Sequence, residues 1–267
     1  MAKTFRQYLQ EEHLAENTIV AYLYAVEDFG RKFACVNRQN LLLYKAEMME
    51  RFKPKTVNLR IMGLNKYLTH IGKPKLRLKS IKIQQRSYLE NVISDADYCF
   101  LKTRLKEEGG GMWYFVVRCL GATGARVSEL VQFKAEHVRA GYFDLYTKGG
   151  KMRRIFIPRD LADEAKAWLA ETNKQSGYLF VDPRGVRITP RSIRHKLHMF
   201  AHRWGIDPRV MHPHSFRHRF AKNFLAACND IALLADLMGH ESIETTRIYL
   251  RRTASEQQTI VDNIVTW

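Results

Sequence analysis

The first 71 residues carry four successive apolar stripes at helical spacing, which leaves little room for a sheet in that part of the chain. Phe5, Tyr8 and Leu9 begin the first stripe. Asn17-Thr18 announces a second that runs through Ile19, Tyr22, Leu23, Val26 and Phe29. Gln39 to Phe52 makes a third, and Lys55 to Ile71, with Val57, Ile61, Leu64 and Leu68, makes a fourth. Further on, Ser94 is placed to cap a helix, and Met112 to Leu120 is an apolar helix that the glycines of Gly121-Ala122-Thr123-Gly124 are expected to break. Strand composition is confined to Tyr142-Phe143-Asp144-Leu145-Tyr146-Thr147 and Arg153-Arg154-Ile155-Phe156-Ile157, with a Gly-Gly turn between them. The expected fold class is therefore mainly α with a small β-sheet (α+β).

Charge decides what such a chain works on. Lys and Arg number 44 against 27 Asp and Glu, a net +17, with a pI near 9.8. An excess of this size is the footprint of a protein that acts on a polyanion, because neutralising phosphates releases condensed counterions. The excess is concentrated between residues 51 and 86, where Arg51, Lys53, Lys55, Arg60, Lys66, Lys73, Lys75, Arg77, Lys79, Lys82 and Arg86 stand without an acid. Lys53, Lys55, Arg60, Lys66, Lys73, Lys75 and Lys79 are the expected contacts to a DNA backbone, with Lys151 in the later hairpin; contacts of that kind position a protein without reading sequence. From Leu76 to Arg86 apolar and basic residues alternate, which reads as an extended basic linker. The expected organisation is a helical DNA-binding domain over 1–75, a linker over 76–88 and a second domain over 89–267.

Other classes are disfavoured. No run of about 18 apolar residues could cross a membrane, and the N-terminus lacks the apolar core of a signal peptide. Cys35, Cys99, Cys119 and Cys228 stand far apart, and are expected to be buried thiols in a reducing cytoplasm. His214 and His218 have the i,i+4 spacing of a helical metal pair, but no HExxH or neighbouring acid or cysteine completes a zinc set, so no metal is expected. Lys148-Gly149-Gly150-Lys151 lacks the spacing of a phosphate loop and leads into a strand, which argues against nucleotide binding.

Chemistry-bearing residues gather in the second half. Arg126 follows the Gly121 to Gly124 break and can be aimed into a cavity or ion-paired with Glu129. His214 and Arg217, at i,i+3, share one helix face and can point at a single phosphate. Gly239-His240 is followed nine residues later by Tyr249. On an unbroken helix His240 and Tyr249 would lie about 13 Å apart on opposite faces. A bend at Gly239-His240-Glu241, with Ser242 as a new N-cap, must separate them.

In order and spacing, Arg126 in Gly-Ala-Arg-Val-Ser-Glu-Leu, Lys148 in the hairpin, His214-x-x-Arg217, Gly239-His240 and Tyr249 resemble the signature of the tyrosine recombinases, or phage-type integrases. The resemblance spans nearly the whole chain. It implies an N-terminal core-binding domain joined to a catalytic domain, and site-specific cutting and rejoining of double-stranded DNA through a 3′-phosphotyrosyl bond to Tyr249, with no cofactor. Arg126 and Arg217 would clamp the phosphate, His240 would hydrogen-bond it, His214 would accept or relay the tyrosine proton, and Lys148 would act as general acid, with Lys151 able to exchange roles with it. Glu129 would orient the site from behind. Residues 250–267 carry Ile260, Val261, Ile264 and Trp267 at helical spacing, a stripe that could fold back onto its own core or dock on a neighbour. The resemblance favours docking on a neighbouring protomer of a homotetramer on DNA, with an accessory DNA-bending protein as a further partner. The absence of an arm-binding domain suggests a simple two-domain recombinase. The competing classes are a DNA-binding regulator with a decayed site and a type IB topoisomerase-like enzyme.

Overall fold

The computed structural model describes residues 4–83, 91–146, 152–240, 242–250 and 261–265. The chain divides into two compact units, residues 1–85 and 86–267.

The first unit consists of α1 (Phe5–Glu11), α2 (Glu16–Lys32), α3 (Arg38–Arg51) and α4 (Pro54–His70), each where an apolar stripe stands in the sequence. Thr4 and Asn37 cap α1 and α3 through side-chain oxygens, and Pro54 opens α4, where its missing N–H costs no hydrogen bond. Phe29, Leu41, Tyr44, Met48, Val57, Ile61, Leu64 and Leu68 form its main core.

The segment expected to be an extended basic linker is extended and, over its first part, packs on this unit. Leu78 is buried, with Leu76 and Ile81 packed against the same core. Two asparagines of α4 clip the extended backbone: Asn65 accepts from the Leu78 N–H (2.8 Å) and donates to its carbonyl (2.9 Å), and Asn58 does the same at Ile81 (2.7 and 2.9 Å). The extended backbone at Leu78 and Ile81 is thus satisfied by side chains instead of a neighbouring strand.

The second unit begins with α5 (Asp95–Glu107), capped by Ser94, and α6 (Gly111–Thr123). Contrary to expectation, Gly121 does not break α6. It is a point of close approach: a Cβ there would lie 2.5 Å from the Tyr98 ring of α5. The helix ends one turn later, at Gly124. Then follow α7 (Val127–Leu130), α8 (Ala135–Ala140), the antiparallel pair β1 (Tyr142–Tyr146) and β2 (Met152–Phe156), α9 (Arg159–Glu171), α10 (Pro190–Trp204), α11 (Pro213–Cys228), α12 (Ile231–Met238), α13 (Ile243–Thr246) and a 3-10 turn at Arg247–Leu250. One large core joins α5, α6, α9, α10 and the start of α11 through Leu101, Val116, Leu120, Leu161, Leu197 and Phe216. A smaller one, Ala221, Leu225, Leu234, Met238 and Tyr249, seats the C-terminal elements on α11.

One further expectation is corrected. Only Cys119 is buried; Cys35, Cys99 and Cys228 are exposed, and all four are free thiols. Arg60 and Lys66 are engaged within the first unit. The Arg60 guanidinium pairs with Asp28 (3.0 Å) and lies over the Phe52 ring, while Lys66 pairs with Glu12.

Candidate active site

The end of α12 organises this region. Helix C-termini leave carbonyls without intrahelical partners, and their partial negative charge favours cations. Here three successive carbonyls each receive a different arginine. Arg153 donates to Leu237 O through Nε and Nη2 (3.0 and 2.7 Å), Arg217 to Met238 O through Nη2 (2.7 Å), and Arg126 to Gly239 O through Nη2 (2.8 Å). Gly239 caps the helix in the left-handed conformation, with φ +61°, and a Cβ there would overlap Arg153 Cδ, so glycine is required on both counts.

Each arginine arrives by a different route. Arg126 is the residue that opens α7, and Glu129 three residues on accepts from its backbone N–H (2.7 Å) and from Nη1 (2.8 Å). The two readings of Arg126 are thus compatible, for it pairs with Glu129 and still turns toward the α12 end. Arg217 sits on the second turn of α11, 4% exposed, and also donates to Gly124 O. Arg153 points inward from β2 and grips both Glu129 oxygens (2.8 and 2.7 Å). Burial works against the Glu129 carboxylate, yet Arg153 and Arg126 hold its pKa below the ordinary value. Burial and the neighbouring Arg126 and Arg153 charges lower Arg217 to about 10.

The expected bend is present. After Gly239, Ser242 caps α13 by accepting from the Glu244 N–H, and Tyr249 follows in the 3-10 turn. His240 Nε2 lies 3.0 Å from Arg217 Nη2, and its Nδ1 lies 2.8 Å from the buried Thr246 Oγ1. A guanidinium only donates, so Nε2 is the acceptor and Nδ1–H donates to Thr246. The His240 and Tyr249 rings are nearly parallel, with centroids 6.5 Å apart.

Tyr249 is 8% exposed, and its hydroxyl lies 2.9 Å from Nδ1 of His218. The place expected for His214 beside the phenol is therefore taken by His218, one turn further along α11. His214 stands exposed at the first turn, its pKa lowered by desolvation and by Arg217, Arg126 and Arg194. Burial, with His214, His212 and Arg217 nearby, lowers His218 to about 4; burial and the arginines lower His240 to about 4; burial raises Tyr249 to about 12 against the pull of Arg217 and Arg126. At neutral pH the phenol keeps its proton and a neutral imidazole waits beside it.

The structure thus brings together Arg126, Glu129, Arg217, His240 and Tyr249, with His214 on the same helix as Arg217. Lys148 and Lys151 fall outside the described residues. Arg153, His218 and Thr246 were missed. Arg153 had a legible signal, for it shares the two-residue register of Ile155 and Ile157, both buried, and a charge in that register calls for a partner. The sequence offers His218 only as half of an i,i+4 histidine pair with His214. Among the described residues no group of three or more His, Cys, Asp or Glu side chains is arranged to hold a metal.

Basic side chains are also exposed on α10. Between Asp182 and Asp207 there is no acidic residue, and Arg191, Arg194, His195, His198, His202 and Arg203 face solvent. In the first unit Lys53, Lys55, Lys73, Lys75 and Lys79 are exposed, Lys73 also donating to Val36 O (3.3 Å).

Residues 110–256 match the model of the phage integrase family. The chain belongs to that family. It is a tyrosine-type site-specific recombinase. It is 29% identical to tyrosine recombinase XerA of Pyrococcus furiosus over 98% of this chain and 94% of that protein. Its fold is also that of a solved XerA recombinase (TM-score 0.55, 22% identity, 97% of this chain and 96% of that one). The XerH recombinase bound to a palindromic difH substrate after cleavage superposes with a TM-score of 0.74, at 17% identity, over 93% of this chain and 80% of that one. The recombinase's mainly helical fold with one small sheet is the fold shared with these structures. Among its described residues, no helix is long and apolar enough to cross a membrane.

Proposed function

We propose that this recombinase cuts and rejoins double-stranded DNA through Tyr249, which becomes linked to a 3′ phosphate. The observation that carries the reading is the Tyr249 hydroxyl held 2.9 Å from a neutral His218 of α11, the helix whose Arg217 joins Arg126 at the end of α12 and donates to His240. The phenolic oxygen bonds to phosphorus as the proton passes to His218 Nδ1, and the bond from phosphorus to the 5′ oxygen breaks. That oxygen takes a proton from Lys148, a role that rests on the family resemblance. Because the phosphodiester energy is retained in the phosphotyrosyl bond, a 5′ hydroxyl from a second strand can reverse the step and reseal the DNA.

Arg126 and Arg217 clamp the nonbridging oxygens, since planar guanidiniums match them and stay charged throughout. His240 and the exposed His214 complete the shell around the phosphate. Strand exchange joins two sites in a homotetramer, and integration, excision, inversion or resolution follows from where those sites lie. Val261, Ile264 and Val265 are exposed rather than folded into the core, which supports docking of the C-terminal segment on a neighbouring protomer. Ile260 and Trp267 of the same stripe lie outside the described residues. The exposed lysines of the first unit and the basic face of α10 contact the DNA. An accessory DNA-bending protein fits this assembly as a further partner.

The test uses a nicked duplex carrying a site that the protein itself selects from a randomised DNA pool. The wild-type chain traps a covalent adduct on a denaturing gel, and Tyr249→Phe abolishes the adduct while binding the same duplex. An adduct that persists in Tyr249→Phe refutes the assignment. Products joined between two duplexes, as opposed to relaxed supercoils alone, separate recombination from topoisomerase activity.

A further inference from the structure

Arg153 stands behind the groups that would touch the phosphate, and each of its three guanidinium nitrogens donates to a protein acceptor. It faces inward from a two-stranded sheet, where a charge is costly unless its partners are built in. Its Nη1 holds both Glu129 oxygens and its Nε and Nη2 hold Leu237 O. Glu129 in turn holds both the backbone N–H and the side chain of Arg126. Leu237 is the last-but-one residue of α12, so the same guanidinium steadies the end that leads into Gly239 and His240. Three guanidiniums against one carboxylate leave the cluster at +2 (3 − 1). That charge matches the −2 which a phosphodiester reaches once a phenolate oxygen adds to it.

We propose that Arg153 is a positioning residue for the phosphate clamp, setting the angle of Arg126 through Glu129 and the end of α12 through Leu237. The inference rests on the reading of Tyr249 as nucleophile and of Arg126 and Arg217 as clamp. A lysine at 153 keeps the charge but presents no planar fork to hold a carboxylate and a carbonyl together.

The experiment compares wild type, Arg153→Lys and Arg153→Gln, as full-length chains, on two nicked duplexes. One carries an ordinary phosphodiester at the cut and the other a methylphosphonate. The same bonds form and break in both, with the phenolic proton going to His218. The methylphosphonate has no nonbridging negative charge for the clamp to meet. On the phosphodiester the variants should cleave about 10²-fold more slowly than wild type with unchanged DNA affinity, the scale of loss when a reacting group is misplaced by about 1 Å. On the methylphosphonate the gap should shrink to within about threefold, since the misplaced clamp is no longer needed to neutralise charge. An equal loss on both substrates, or no loss on the phosphodiester, overturns the proposal. If Arg153→Gln fails to melt cooperatively, Arg153→Lys, which retains a cation for Glu129, decides. A wild-type chain that forms no Tyr249 adduct would fault the reading of the site and not the role of Arg153.

Discussion

Two side chains with oppositely displaced protons define the residue scale. Burial raises Tyr249 to about 12 and lowers His218 to about 4, so the phenolate is not formed in the resting protein. In the proposed reaction, a phosphate clamped by Arg126 and Arg217 would draw the phenolic oxygen toward phosphorus and place negative charge near His218, which would favour the transfer. His218→Gln should therefore slow adduct formation by on the order of 10²-fold or more, the usual contribution of a positioned general base, and leave DNA affinity unchanged. Quenched-flow cleavage of the nicked duplex measures it. The same displacement governs acid stability. His218 and His240 stay neutral in the folded state down to about pH 4 but protonate near their ordinary value when unfolded. The unfolded chain then binds more protons between about pH 6.5 and pH 4. Stability from these two groups is complete above that window and falls as pH drops through it. Urea melts at pH 7 and pH 5 should show the fall, and His218→Gln should show less of it.

Elements were legible wherever the signal was local. The four helices of the first unit, the Ser94 cap, the hairpin strands and the bend between His240 and Tyr249 all lie where spacing and capping residues put them, because each depends on neighbours within a turn. Failures came from partners distant in the chain. Asn58 and Asn65 fasten residues 13 to 23 positions away, and nothing near Leu78 announces it. Gly121 looked like a helix breaker because the Tyr98 ring that demands it belongs to another helix. Gly121→Ala should cost about 1–3 kcal/mol, the usual penalty of overpacking a fitted contact, although alanine is the better helix former. A lower thermal midpoint with an unchanged adduct yield per folded molecule is the expected result.

For the whole molecule, the basic excess divides into charges turned outward and charges already engaged. Lys53 and Lys55 at the start of α4 are exposed, whereas Arg60 of the same helix is paired with Asp28 and lies over Phe52. Replacing Lys53 and Lys55 by alanine should flatten the salt dependence of DNA binding by about two phosphate contacts, each worth roughly 0.9 in the slope of log K against log salt. Arg60→Ala should leave that slope alone and lower the melting temperature of the first unit. Binding titrations across a salt series separate the two, and sequence could not, since both kinds of residue stand in one acid-free run.

All of this depends on which atom takes the DNA. The adduct on the nicked duplex, digested with protease and nuclease and read by tandem mass spectrometry, should carry a nucleotide 3′ phosphate on the Tyr249 hydroxyl, and the released strand should bear a free 5′ hydroxyl. A nucleotide attached to any other side chain, or joined through its 5′ phosphate, would contradict the account.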